Sequence, residues 1–143
     1  MARRTIPEDV LARVRAAAQN WCGYCLSPQH LVMARLQIEH TIPRARGGTD
    51  DEANLWLACP LCNNHKRTQI AAIDSDTGDE VPLFDPRTQL WHDNFAWTAD
   101  GLRIVGRTAV GRATVVALQL STDPDALLVR SYWVQAGWHP PRD

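Results

Sequence analysis

Cys22-Gly-Tyr-Cys25 and Cys59-Pro-Leu-Cys62 hold all four cysteines of this sequence, with residues 26–58 between the pairs. A Cys-x-x-Cys turn lets two thiolates reach one ion, and two such turns complete a tetrahedral site for zinc. The separation is too long for a compact zinc ribbon, so the ion would clamp the two ends of an inserted unit. Four thiolates leave no open coordination position, which makes the expected role structural. The competing reading is thiol redox chemistry. A redox Cys-x-x-Cys follows a strand and opens a helix, whereas here a helical pattern precedes Cys22, and the second pair would have no purpose.

Working outward, Thr5-Ile-Pro-Glu8 fits a capping box, and Val10, Leu11, Val14, Ala17, Ala18 and Trp21 follow at helical spacing. The spacing predicts a helix ending near Trp21. Leu31–Met33 and Leu36–Ile42 are rich in aliphatics and β-formers and predict two strands of a hairpin. Residues 43–54 form a loop by composition, and Leu55-Trp-Leu-Ala58 leads into the second cysteine pair. Asn63 to about Ile73 lacks Pro and Gly and predicts a short helix. Turn residues crowd 74–86, which places a boundary or hinge near residue 74. Beyond it, Phe95-Ala-Trp-Thr and Leu102-Arg-Ile-Val105 flank Asp100-Gly101 as a hairpin. Helices are expected over Ala109–Leu120 and from Asp123-Pro124 to about Ala136. The class is α+β: residues 1–73 make the zinc-clamped unit, and 74–143 a hairpin and helices that pack on it or extend it.

The chain has 143 residues, 45% of them apolar and 22% charged, which suits one compact domain and excludes wholesale disorder. No apolar run approaches the ~20 residues of a membrane-spanning helix, and Met1-Ala-Arg-Arg-Thr5 lacks the apolar core of a secretory signal. A cytoplasmic protein with no membrane partner is the expectation. Net charge is −1, but its distribution is uneven. Residues 1–73 carry nine basic and six acidic side chains, and residues 74–143 carry six and ten. A polyanion would meet the first half. Of six tryptophans, four lie after residue 90 (Trp91, Trp97, Trp133, Trp138) and are expected to build a C-terminal core.

Between and just after the cysteine pairs lie Ile38-Glu-His-Thr-Ile-Pro-Arg-Ala-Arg-Gly-Gly48, Asn54-Leu55 and Asn63-Asn64-His65-Lys66. With Cys22, Cys25, Cys59 and Cys62, this segment resembles the HNH endonuclease family, which has the ββα-metal fold. The shared pattern is Cys-x-x-Cys, an acidic residue and His (Glu39, His40), Pro43, Gly47-Gly48, Asn54-Leu55, then Cys-x-x-Cys-Asn-x-x-Lys ending at Lys66. Pro82-Leu-Phe-Asp-Pro-Arg87 extends the likeness weakly toward small free-standing bacterial members.

The resemblance implies metal-dependent hydrolysis of DNA phosphodiester bonds, and the residue chemistry agrees. Such hydrolysis needs a base for the attacking water and a cation for the charge developing on phosphate and leaving oxygen. His40 suits the base, because an unperturbed imidazole is largely neutral at pH 7. Glu39 offers a hard oxygen to Mg²⁺ or Mn²⁺, and Asn63 a second oxygen from the start of a helix. Asn54 matches the middle motif residue, which would hold the loop and help orient the base. The chain departs from the family's commoner pattern in having Glu39 for Asp and Asn63 for His, and the second change favours an oxygen-preferring ion. His65 is the alternative third residue; on a helix it would lie roughly 200° from Asn63, so the two cannot face one ion. Arg44, Arg46, Lys66 and Arg67 flank the site and are expected to contact the DNA backbone. The alternative is a zinc module that binds nucleic acid or protein without catalysis.

Overall fold

The computed structural model describes residues 5–141, so Met1–Arg4, on which the leader reading partly rests, lie outside the described residues. Helix α1 spans Glu8–Ala17, with Pro7 as its N-cap and Glu8 and Asp9 in the first turn, where carboxylates meet the positive end of the helix dipole. The expected capping box does not form: no side chain caps this helix. Nor does the helix reach Trp21. Gln19 and Asn20 both adopt φ of 55°, which breaks the ladder, and Trp21 instead bridges to Pro28 around the first cysteine pair.

Strand β1 (Gln37–His40) pairs antiparallel with β2 (Leu55–Ala58), so that Glu39 faces Trp56 and His40 faces Leu55. The expected partner, Leu31–Met33, is not a strand. Gln29 closes that segment with its side chain: Leu36 N donates to Gln29 Oε1 at 2.7 Å, and Gln29 Nε2 donates to Ala34 O at 3.1 Å. These bonds satisfy backbone groups just after Leu31–Met33 and turn the chain there.

Helix α2 covers Pro60–Lys66, with Pro60 in the first turn and the Cys59 sulfur accepting from Cys62 N. It ends well before the expected Ile73. Arg67 turns to φ 51°, and Gln69 Nε2 donates to the carbonyls of His65 and Lys66 at 3.0 and 3.3 Å. Ala71–Ile73 then becomes β3, paired with β4 (Glu80–Pro82). Asp74, the first residue of the connecting turn, is buried and ion-paired with Arg112.

The remaining elements are a short helix α3 (Trp91–Asn94), the expected hairpin β5 (Phe95–Trp97) and β6 (Ile104–Gly106), and helices α4 (Ala109–Ala117) and α5 (Pro124–Gln135). Thr108 and Asp123 cap the last two helices through their side chains. The α+β class is as expected.

One core runs through the chain. Cys22, Tyr24, Cys25 and Leu57 from the first half join Phe84, Trp91, Phe95 and Ile104 from the second. Phe84 meets Phe95 edge-to-face at 5.0 Å and Tyr24 at 6.5 Å. Arg87 donates to Leu55 O at 3.0 and 3.2 Å and lies over the Trp56 ring, docking the Pro82–Arg87 stretch on β2. Not every C-terminal tryptophan joins the core. Trp91 is buried, and Trp97 and Trp133 are half-buried against His139, but Trp138 is 61% exposed.

Candidate active site

The two cysteine turns meet at one point. Their four sulfurs lie within 4.8 Å of one another, all buried, and the Cys25 and Cys59 sulfurs are 3.7 Å apart. Zn–S bonds of about 2.3 Å in a tetrahedron place ligands about 3.8 Å apart, so the donor set fits zinc. Gly23 N donates to Leu57 O at 2.9 Å, tying the first turn to β2. A Cβ on Gly23 would come within 2.5 Å of the Trp56 ring and 2.7 Å of Pro86, which explains glycine at this close approach. Burial pushes the Cys22 thiol up, while hydrogen bonds from its three neighbours pull Cys25 down.

The second feature is a cleft of about 220 Å³ lined by Glu39, His40, Arg44, Asn63 and Arg67, with Ile38 and Pro43 completing it. The β1–β2 pairing sets Glu39 and His40, and α2, anchored by Cys59 and Cys62, sets Asn63. The strand ends at His40, and there both adjacent residues border one cleft.

Glu39 is 3% exposed, which is unusual for a carboxylate on a strand. Tyr24 OH donates to its Oε2 at 2.8 Å, and Lys66 Nζ pairs with its Oε1 at 2.7 Å. Burial raises its pKa, and the Lys66 charge opposes that rise. Lys66 also donates to the carbonyl of Thr41 at 3.1 Å and is itself 1% exposed. This corrects the sequence reading, which placed Lys66 with the arginines on a DNA-facing surface. The other three are exposed: Arg44 hydrogen-bonds Asp50, Arg46 donates to Thr68 O at 2.6 Å, and Arg67 borders the cleft.

His40 Nε2 lies 2.8 Å from Asp50 Oδ1. Arg44 Nε and Nη2 reach the same oxygen at 3.0 and 2.7 Å. Hydrogen bonds from His40 and Arg44 hold the Asp50 carboxyl below its usual range. Asn54 holds the loop instead of touching the imidazole. Its Oδ1 accepts from Ile42 N at 2.9 Å, and its Nδ2 donates to the carbonyls of Ile42 and Thr49 at 3.0 and 2.8 Å. Asn63 Nδ2 donates to Gln37 Oε1 at 2.6 Å, which leaves its carbonyl oxygen as the atom to offer a cation. His65 turns elsewhere, to Asp123 Oδ2 at 2.8 Å, away from the cleft.

Sequence reasoning missed Tyr24, Gln37 and Asp50. Asp50 sits in the acidic run Asp50-Asp51-Glu52 and so carries a faint signal; the other two carry none that local spacing exposes.

Comparison with curated proteins and with solved structures finds no match. Residues 22–69 match the family model described as HNH endonuclease. This span opens at Cys22 and closes just past α2, so it takes in both cysteine turns, β1, β2 and the cleft. About a third of the chain, residues 22–69, is therefore similar to an HNH endonuclease domain.

Proposed function

We propose that this protein is an HNH endonuclease that hydrolyses DNA phosphodiester bonds with one divalent ion, Mg²⁺ or Mn²⁺, and that the cysteine cluster holds a structural zinc. The observation that carries this reading is the single cleft shared by Glu39, His40 and Asn63, with Arg44 and Arg67 at its border. A carboxylate and an amide oxygen suit a hard cation. Glu39 accepts one hydrogen bond on each oxygen, and a carboxylate has further lone pairs to offer. Glu39 and Asn63 would hold the ion, which supplies positive charge against the charge that develops on phosphate and leaving oxygen.

His40 takes a proton from the attacking water as the new P–O bond forms and the old one breaks, a solvent water protonates the leaving oxygen, and His40 returns its proton to solvent. A base of this kind contributes about 10²–10⁴-fold. Asn54 fixes the 42–49 loop that shapes the cleft. Tyr24 and Lys66 orient Glu39 from behind. Arg44, Arg46 and Arg67 contact the DNA backbone, which positions the duplex without reading its sequence.

The test is cleavage of plasmid DNA by zinc-loaded protein with and without added Mg²⁺ or Mn²⁺, and with Asn63→Ala. Activity that needs the added ion and falls in the variant supports the reading. Zinc-loaded protein that binds DNA but never cuts it moves the non-catalytic module ahead.

A further inference from the structure

An imidazole that takes a proton from water needs one bare nitrogen, and its other nitrogen must be held as N–H so that the bare one points at the substrate. The resemblance assigns help in orienting His40 to Asn54. The geometry does not, because Asn54 spends its amide on the backbone of Ile42 and Thr49. The group that meets the ring is Asp50, at 2.8 Å from Nε2.

We infer that Asp50 is the positioning residue for His40: its carboxylate accepts from Nε2–H, leaves Nδ1 as the proton acceptor, and faces the imidazolium once the water proton has been taken. This inference rests on the reading of His40 as the base. Asp50 itself stays ionised throughout. The proton resides on Nδ1 until it leaves the site, and Asp50 lends its negative charge to the cation so formed.

The surroundings of Asp50 support the assignment. A positioning group must itself be held, and Arg44 does this with two donors on the same carboxylate oxygen. The loop that carries it has little freedom. Gly47 takes a left-handed φ of 85°, and a Cβ on Gly48 would collide with the carbonyl oxygen of Ile42, so the backbone packs directly on the strand exit. Asn54 then clips both ends of the turn, bonding Ile42 at one end and Thr49 at the other. The result is a rigid platform whose next side chain, Asp50, is delivered to the ring. Both partners are largely shielded, with side-chain exposures of 18% for His40 and 22% for Asp50. Arg44 therefore serves the base as well as the substrate, since half its surface remains open beside the cleft.

The experiment uses the full zinc-loaded chain, with Asp50→Ala, Asp50→Asn and His40→Ala. Proton NMR looks for a downfield imidazole N–H protected from exchange with water, assigned to His40 by its absence from His40→Ala. Single-turnover plasmid nicking is measured alongside, with zinc content and melting temperature matched. The expected result is a protected N–H that disappears in Asp50→Ala and persists in Asp50→Asn, where the amide oxygen still accepts. Nicking should fall about ten- to a hundredfold in Asp50→Ala, a part of what the base supplies, and less in Asp50→Asn. A wild-type protein without the protected N–H overturns the inference. So does Asp50→Ala nicking at the wild-type rate while His40→Ala is inactive, and that outcome leaves the base reading standing. Wild-type nicking by His40→Ala would remove the base reading and the inference with it.

Discussion

Trp91 donates its indole N–H to the carbonyl of Tyr24 at 2.8 Å, joining residues 67 apart in the sequence. Tyr24 lies inside the first cysteine turn, and its hydroxyl holds Glu39. Tyr24 thus links the second half of the chain to the cleft. Replacing Trp91 by Phe keeps most of the packing but leaves a buried carbonyl without its donor. A loss of about 1–3 kcal/mol is expected, measured by urea denaturation of the zinc-loaded protein. A stability equal to wild type would show that this bond is not needed.

Lys66 and Glu39 form a buried ion pair, and removing one partner strands the other charge. Lys66→Met should cost about 3–5 kcal/mol, because Glu39 must then either stay charged without compensation or take up a proton. Denaturation curves at neutral pH would measure it. A change below about 1 kcal/mol, the range of an exposed pair, would contradict the burial described here.

Asp74 is held well below the usual carboxylate range, first by hydrogen bonds from Arg112, with Nε and Nη2 each donating to one oxygen at 2.8 and 3.0 Å. A depressed native pKa contributes stability that is present above the unfolded value, about 3.9, and is lost as pH falls toward the native value. Arg112→Ala removes that contribution. The stability gap between wild type and variant should therefore stay constant above about pH 5 and narrow below pH 4. Unfolding measured side by side at several pH values cancels whatever both proteins share. A gap that widens in acid would reverse the sign and refute the pairing.

Zinc at the cysteine cluster should be integral to the fold, since the four sulfurs form part of the same core as Tyr24, Phe84 and Trp91. Elemental analysis should find one zinc per chain, and a strong chelator should unfold the unit around the cysteine turns. Retention of native circular dichroism after complete zinc removal would contradict this.

Local spacing made much of the site legible. The cysteine pairs, Glu39-His40, Asn54 and Asn63 sit within one segment, and their order mirrors the order of strand, loop and helix that builds the cleft. What stayed hidden depends on partners brought in by folding. Nothing near Glu39 in the sequence reveals that Tyr24 and Lys66 enclose it, and so Lys66 reads as a surface charge. The Leu31–Met33 run has strand composition, but the Gln29 side chain folds the chain around it by bonding the backbone just beyond, at Ala34 and Leu36. The segment after Asn63 has no helix breaker, yet Arg67 ends α2 in a positive-φ turn so that Ala71–Ile73 can pair with β4. The β5–β6 hairpin and the start of α5 were readable because Asp100-Gly101 and Asp123-Pro124 act through their own neighbours.

The most direct measurement is nicking of supercoiled plasmid in Mg²⁺ or Mn²⁺ by wild type and His40→Ala at equal zinc content. The expected result is cleavage by the wild type and a rate about 10²–10⁴-fold lower in the variant, with both equally folded. Equal cleavage by the two proteins would contradict the assignment of His40 as the base.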